Sequence, residues 1–257
     1  MKKLSIRRYQ PSDIEGIAEL YRLRSVEFFP ALFEWKKSSP SSCSWVVTDM
    51  EGRLLGHYCL LGFPLSFGGG DLVSDFGVDG VTHPSAAHLE VVSLLLDEGK
   101  RYSETAEHAA LFAFPNESME RIKRFLGWQK VADYVWIESV GKRIAASSLP
   151  LFTDDYRRWR WNRCPRKYVY NDERTAIFAL GNTPMLLWCD GEEVLKELAK
   201  EYSFRLLFAS ECAIPDGFSI NGIKGSIPLL VAKSEGRGLP SPLFWTCEAV
   251  EAVTLGW

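Results

Sequence analysis

Asp75, Asp79 and His83 recur every four residues in the stretch Ser74-Asp75-Phe76-Gly77-Val78-Asp79-Gly80-Val81-Thr82-His83-Pro84. Titratable groups of these types can take a proton from an amine or orient a water that does so. The stretch reads as a strand over roughly 72–81. Simple alternation then puts Asp75 and Asp79 on one face with Gly77 between them, which suits a shared polar pocket and equally a solvent-facing edge. Beyond Pro84, Ser85 fits a helix N-cap, and with His88 it can hydrogen-bond an anion at that helix's N-terminus. The simpler alternative is an ordinary cap beside a surface histidine.

A second constellation is Asp154-Asp155-Tyr156-Arg157-Arg158-Trp159-Arg160-Trp161-Asn162-Arg163, continuing through Arg166 and Lys167. Basic residues interleaved with tryptophans can stack on and neutralise a nucleotide or a sugar diphosphate. The same pattern also fits an amphipathic helix whose tryptophans pack inward while its arginines are solvated or pair with Asp154 and Asp155.

These groups sit in a chain of 257 residues, 46% hydrophobic and 25% charged, with a formal net charge of −3. That composition excludes a disordered or fibrous protein. Residues 1–138 carry 15 basic and 19 acidic groups and the remainder 15 and 14, so neither part is a strongly basic module, and nucleic acid is not expected as a partner. Cys43, Cys59, Cys164, Cys189, Cys212 and Cys247 form no CxxC pair and fall mostly in apolar runs, as buried thiols of a reducing compartment do. Without close Cys/His grouping no metal site is expected. Met1–Arg8 is basic but is followed by a polar helix start rather than the apolar core of a signal peptide, and no run approaches membrane-spanning length. A cytoplasmic protein without a membrane partner is expected.

The elements that must position the candidate residues follow from pattern. Leu4–Tyr9 alternates as a strand, and Ser12-Asp13-Ile14-Glu15 reads as a capping box opening a helix. The segment through Trp35 and Pro40 reads as a loop. Strands are expected at 44–48 and 53–61, then at 72–81. A helix with Leu89, Val92, Leu95 and Leu96 facing inward should end near Gly99. A short strand, 109–114, runs into Pro115, and Asn116 caps a helix carrying Met119, Ile122, Phe125 and Leu126, closed by Gly127 before a strand at 131–138. Residues 139–150 are the best linker, leaving 151–257 as a smaller α+β domain. There a hairpin is expected around Asn171-Asp172, with strands at 185–189, 205–209 and 227–232, and an amphipathic helix over 191–202.

The order β, α, β, β, β, α, β, α, β over residues 1–138 resembles the GNAT superfamily of acyl-CoA-dependent acyltransferases. The resemblance rests on Ile6-Arg7-Arg8 before Ser12-Asp13-Ile14, on Val81-Thr82-His83-Pro84, and on Phe114-Pro115-Asn116 through Leu126-Gly127-Trp128. It implies an α+β, mixed α/β architecture: a twisted mixed sheet flanked by helices, with residues 151–257 as a second, smaller and divergent GNAT-like α+β half. It further implies acetyl-CoA or another acyl-CoA as cosubstrate, a small-molecule amine such as an amino sugar or amino acid as acceptor, and room for a homodimer. Asp75, Asp79 and His83 become the candidate proton-handling groups, and Gly77, Val81, Ser85, Ala87, His88 and Asn116 the candidate cosubstrate contacts. Two departures are visible. The family's Arg-Gly-x-Gly phosphate loop falls on Ala87, His88, Leu89 and Glu90, and Lys123 occupies the place of a tyrosine that protonates the leaving thiolate. A scaffold retained for another ligand or a protein partner is the alternative reading.

Overall fold

A computed structural model describes residues 4–39, 41–67, 70–85, 88–144, 155, 158–166, 168–171, 176–179, 184–189, 192–210, 213–214, 217–220, 226–234 and 244–245. The chain divides into two compact units, one of residues 1–113, 121–129 and 231–238, the other of 114–120, 130–230 and 239–257.

In the first unit, β1 (Ser5–Arg8), β2 (Ser42–Thr48), β3 (Leu54–Phe67), β4 (Gly70–Thr82) and β5 (Ala110–Ala113) lie side by side in chain order. The first four pair antiparallel and β5 joins β4 in parallel, so the sheet is mixed. Helices α1 (Ile14–Leu23) and α2 (Pro30–Lys37) cover one face. Helix α3 (His88–Thr105) covers the other, where a Cβ on Gly56 would meet Val91 and Leu95. Helix α4 (Glu117–Phe125) follows β5 and has residues in both units. Val46, Cys59, Leu60, Phe76, Val91 and Leu111 are buried between these layers.

Several local expectations shift. The reciprocal contact forms two residues early, at the 3-10 turn Pro11–Asp13 that leads into α1, with the Asp13 carboxylate accepting from Gln10 N–H at 2.8 Å and pairing with Arg7. Residues 30–37 form a helix rather than a loop, because Pro30 supplies the preset φ of a first helical turn and Leu32, Phe33 and Trp35 give it a buried side. Helix α3 does not stop at Gly99 but continues to Thr105. There the absent side chain lets the helix approach the Tyr58 ring. The end of α4 is as expected, with Gly127 at φ +86°.

In the second unit, β6 (Gln129–Ser139), β7 (Tyr168–Asn171), β8 (Ala176–Ala179), β9 (Met185–Cys189), β10 (Arg205–Ala209), β11 (Phe218–Ile220) and β13 (Phe244–Trp245) accompany helix α5 (Glu192–Glu201). Strand β12 (Ile227–Ser234) has residues in both units, and so does β6, whose first residue Gln129 belongs to the first unit. The order is β6-β10-β9-β8-β7, with β9 and β10 parallel and the 168–179 hairpin antiparallel as its sequence suggests. Leu195, Leu198 and Ala199 of α5 pack with Ile137, Phe178, Leu186, Phe204 and Phe208. Residues 145–150, the end of the expected linker, lie outside the described residues, as do the hairpin turn 172–175 and the cysteines 212 and 247.

Candidate functional site

Strand β4 is the axis of the site. Its register with β3 runs Gly62–Asp75, Leu60–Gly77, Cys59–Asp79 and His57–Val81, so Val78 is an extra residue, a β-bulge. A bulge shifts the side-chain parity of everything after it. The expectation that Asp75 and Asp79 share a face is therefore corrected: Asp75 points to the α3 side and Asp79 to the α1/α2 side. Both are buried, with 0% and 2% exposure, which also removes the solvent-facing edge as an explanation.

Each carboxylate has its own cation or imidazole. Asp75 lies 2.8 Å from His108 Nδ1, while its other oxygen has no partner among the described residues. Asp79 accepts from Lys36 Nζ at 2.8 Å, and Lys36 is itself 6% exposed. The next helical residue, Lys37, donates to His57 Nε2 at 3.0 Å and lies over the Tyr9 and Phe33 rings. Burial first, then the Lys37 and Lys36 charges, holds His57 far below the usual imidazole range. It is thus neutral, with its proton on Nδ1.

His83 ends the strand. Its Nδ1 accepts the Ser85 N–H at 3.1 Å and has the Ser85 hydroxyl at 2.8 Å. Because α3 begins at His88, Ser85 is not its N-cap; the Pro84-Ser85 turn folds back on the imidazole instead. A neutral His83 therefore carries its proton on Nε2. Ala87 and the His88 side chain fall outside the described residues. Asn116 does cap α4, its Oδ1 accepting the Met119 N–H at 3.0 Å.

Parallel pairing between β4 and β5 covers Asp75–Leu111 and Phe76–Phe112 and stops there. From Gly77 to Thr82 β4 continues beside β3, past the end of that parallel register. Over Gly77 lies Tyr58 from β3. A Cβ at Gly77 would run into the Tyr58 hydroxyl, which is buried and has no hydrogen-bond partner among the described residues. Gly77→Ala is expected to cost about 1–3 kcal/mol by overpacking. Adding Tyr58→Phe should recover part of the loss, as read from urea midpoints. Equal losses in the single and double variants would disprove the contact.

The residue that sequence reasoning did not place among the site groups is Lys123 on α4. It is 4% exposed, and its Nζ has no hydrogen-bond partner among the described residues. The Nζ sits 3.6 Å from the Trp128 ring centre and 5.5 Å from that of Tyr58. Burial alone lowers its pKa from 10.5 to about 7. Lys36 and Lys37 were also overlooked, since residues 30–37 read as a loop. Their signal was the Pro30-Ala-Leu-Phe-Glu-Trp sequence, an N1 proline followed by an apolar helical side.

The Trp/Arg constellation resolves largely into packing. Arg158–Asn162 is one helical turn with Trp159 and Trp161 buried. Arg160 corrects the expectation of solvated arginines: it has 0% exposure, lies against the Trp161 ring and donates to the Tyr168 hydroxyl at 3.1 Å. Arg158 pairs with Asp155 at 3.6 Å, while Asp154, Tyr156, Arg157 and Lys167 lie outside the described residues. Among the described residues no cluster of His, Cys, Asp or Glu is placed to hold a metal ion, and no helix is long and apolar enough to cross a membrane.

No protein-family model and no curated protein matches the chain. Solved structures do. A conserved protein from Enterococcus faecalis V583 bearing the name "Probable N-Acyltransferase" aligns over 90% of this chain and 72% of its own, with a TM-score of 0.62 at 10% identity. A GCN5-related N-acetyltransferase from Kribbella flavida aligns over 90% and 71%, with a TM-score of 0.60 at 10% identity. Another, from Anabaena variabilis ATCC 29413, aligns over 89% and 72%, with a TM-score of 0.60 at 9% identity. Mixed sheet, element order and these alignments agree: this chain has the GNAT-superfamily fold.

Proposed function

We propose that the protein is an acyl-CoA-dependent N-acyltransferase that moves an acetyl or other acyl group to the amine of a small molecule, an amino sugar or an amino acid. The observation that carries this reading is the behaviour of β4. A bulge at Val78 and the end of β5 pairing at Phe76 leave an extended backbone segment, Gly77–Val81, leading toward the N-terminus of α3. Such an edge suits the amide-bearing pantetheine arm, which can add to it as a strand does, and a helix N-terminus suits the pyrophosphate. Ser85 would lie at the phosphate end and Gly77 and Val81 along the arm, with Asn116 fixing the start of α4.

The chemistry asked of the protein is modest because the thioester is already activated. It must hold the reactants in line and accept the proton of the attacking amine. Asp79 is the carboxylate we assign to that step: it sits beside the bulge, and Lys36 keeps it oriented at 2.8 Å. His83, with Nδ1 engaged by Ser85, would orient a group through its Nε2–H, and Asp75 would act on His108.

A second reading has its own support. Tyr58 fills the space over Gly77, and the Ser85 N–H is already bound to His83, features that fit a scaffold retained for a different ligand or a protein partner. Calorimetric titration with acetyl-CoA separates the two. Saturable binding followed by thiol release with an amine panel is the expected result; no heat at millimolar ligand would establish the second reading.

A further inference from the structure

Lys123 is a buried polar group that the proposed reaction leaves unused. Its Nζ is enclosed by Trp128 and Tyr58, lacks a hydrogen-bond partner among the described residues, and shares the Tyr58 ring with Gly77 of β4. The Tyr58 hydroxyl is equally partnerless and buried. We infer that the Lys123 ε-amine is itself an acyl acceptor, so that the protein acylates its own Lys123 from the donor thioester. The inference rests on the acyl-CoA reading of the β4 edge.

The step balances without any added reagent. The amine lone pair attacks the thioester carbonyl, an N–C bond forms, the C–S bond breaks, and the proton shed by nitrogen leaves with sulfur as the free thiol. Burial favours it twice over. First, an amine held at about 7 by desolvation is unprotonated in a large share of molecules at neutral pH. An ordinary lysine is unprotonated in roughly one molecule in three thousand. No neighbouring charge adds to that shift; the ionisable side chain facing Nζ is Tyr58, itself held protonated by burial. Second, the product is an uncharged amide, which removes the penalty for an ammonium in an apolar site. Its new carbonyl is an acceptor of the kind the Tyr58 hydroxyl lacks.

Acylation of Lys123 yields a stable amide, so it ends in a modified protein rather than a turnover intermediate. The full-length chain is incubated with acetyl-CoA at pH 6, 7 and 8, followed by intact mass and peptide mapping, with acetyl-CoA binding measured in parallel by calorimetry. One acetyl increment on Lys123 is expected, its rate climbing through pH 7 and levelling off, and absent from Lys123→Met and Lys123→Arg. Binding of acetyl-CoA with Lys123 unmodified overturns the inference, as does acetylation that is scattered over other lysines and unchanged in the variants. Should acetyl-CoA not bind, the acyl-CoA reading falls and p-nitrophenyl acetate decides the nucleophile: labelling of Lys123 roughly tenfold faster than of other lysines keeps it, and equal labelling removes it.

Discussion

Lys36→Ala is expected to destabilise the protein by about 3–5 kcal/mol, because it leaves the Asp79 carboxylate charged, buried and stripped of its ion-pair partner. The expectation follows from the pairing of two groups that are 7% and 3% exposed across 2.8 Å. At such a site the pair gains little over apolar residues, yet half of it is worse than none. The double variant Lys36→Met/Asp79→Leu should therefore regain most of the lost stability, within about 2 kcal/mol of the natural chain. Urea unfolding with an unchanged slope measures both. A loss under about 1 kcal/mol in Lys36→Ala would mean that water reaches Asp79, and the buried pair would have to be abandoned.

Lys123→Met should act in the opposite direction and with a pH signature. In the unfolded chain the lysine returns to its ordinary pKa near 10.5, while in the folded chain it sits at about 7. Between those values unfolding takes up a proton, so the natural protein gains stability as pH rises from 7 toward 10, by up to about 1.4 kcal/mol per pH unit. Below 7 both states are protonated and the full penalty, on the order of 5 kcal/mol, applies. Methionine keeps much of the volume and carries no charge. The variant should thus be more stable than the natural chain at pH 6.5, with the gap narrowing steadily to pH 9.5. A gap that does not vary over this range would show that Lys123 keeps an ordinary pKa.

Legibility in the sequence varied with the range of the interaction that fixes each feature. Strand β10 and the helix carrying Leu195 and Leu198 are set by local alternation and helical spacing, and their limits are close to those read from the pattern. The α4 start at Asn116 and its end at Gly127 were legible because a cap and a positive φ are single-residue signals. The bulge at Val78 was not, since nothing in Gly77-Val78-Asp79 says that β3 will oppose two residues with one. That single slip misplaced Asp79. Helix α2 was hidden by its length, eight residues with aromatics on several sides, whose burial is decided by the sheet beneath it. Lys123 was recognisable as an unusual residue at its position, but its missing hydrogen bond is a property of what surrounds it in space.

The extra residue in β4 has one more consequence. By turning Asp79 away from Asp75 it places the sheet between two polar clusters, Asp79 with Lys36 on one side and Asp75 with His108 on the other. The two pairs lie on opposite faces of the strand with different partners, so perturbations at the two should add almost independently. One side can therefore be altered while the hydrogen bond on the other is kept.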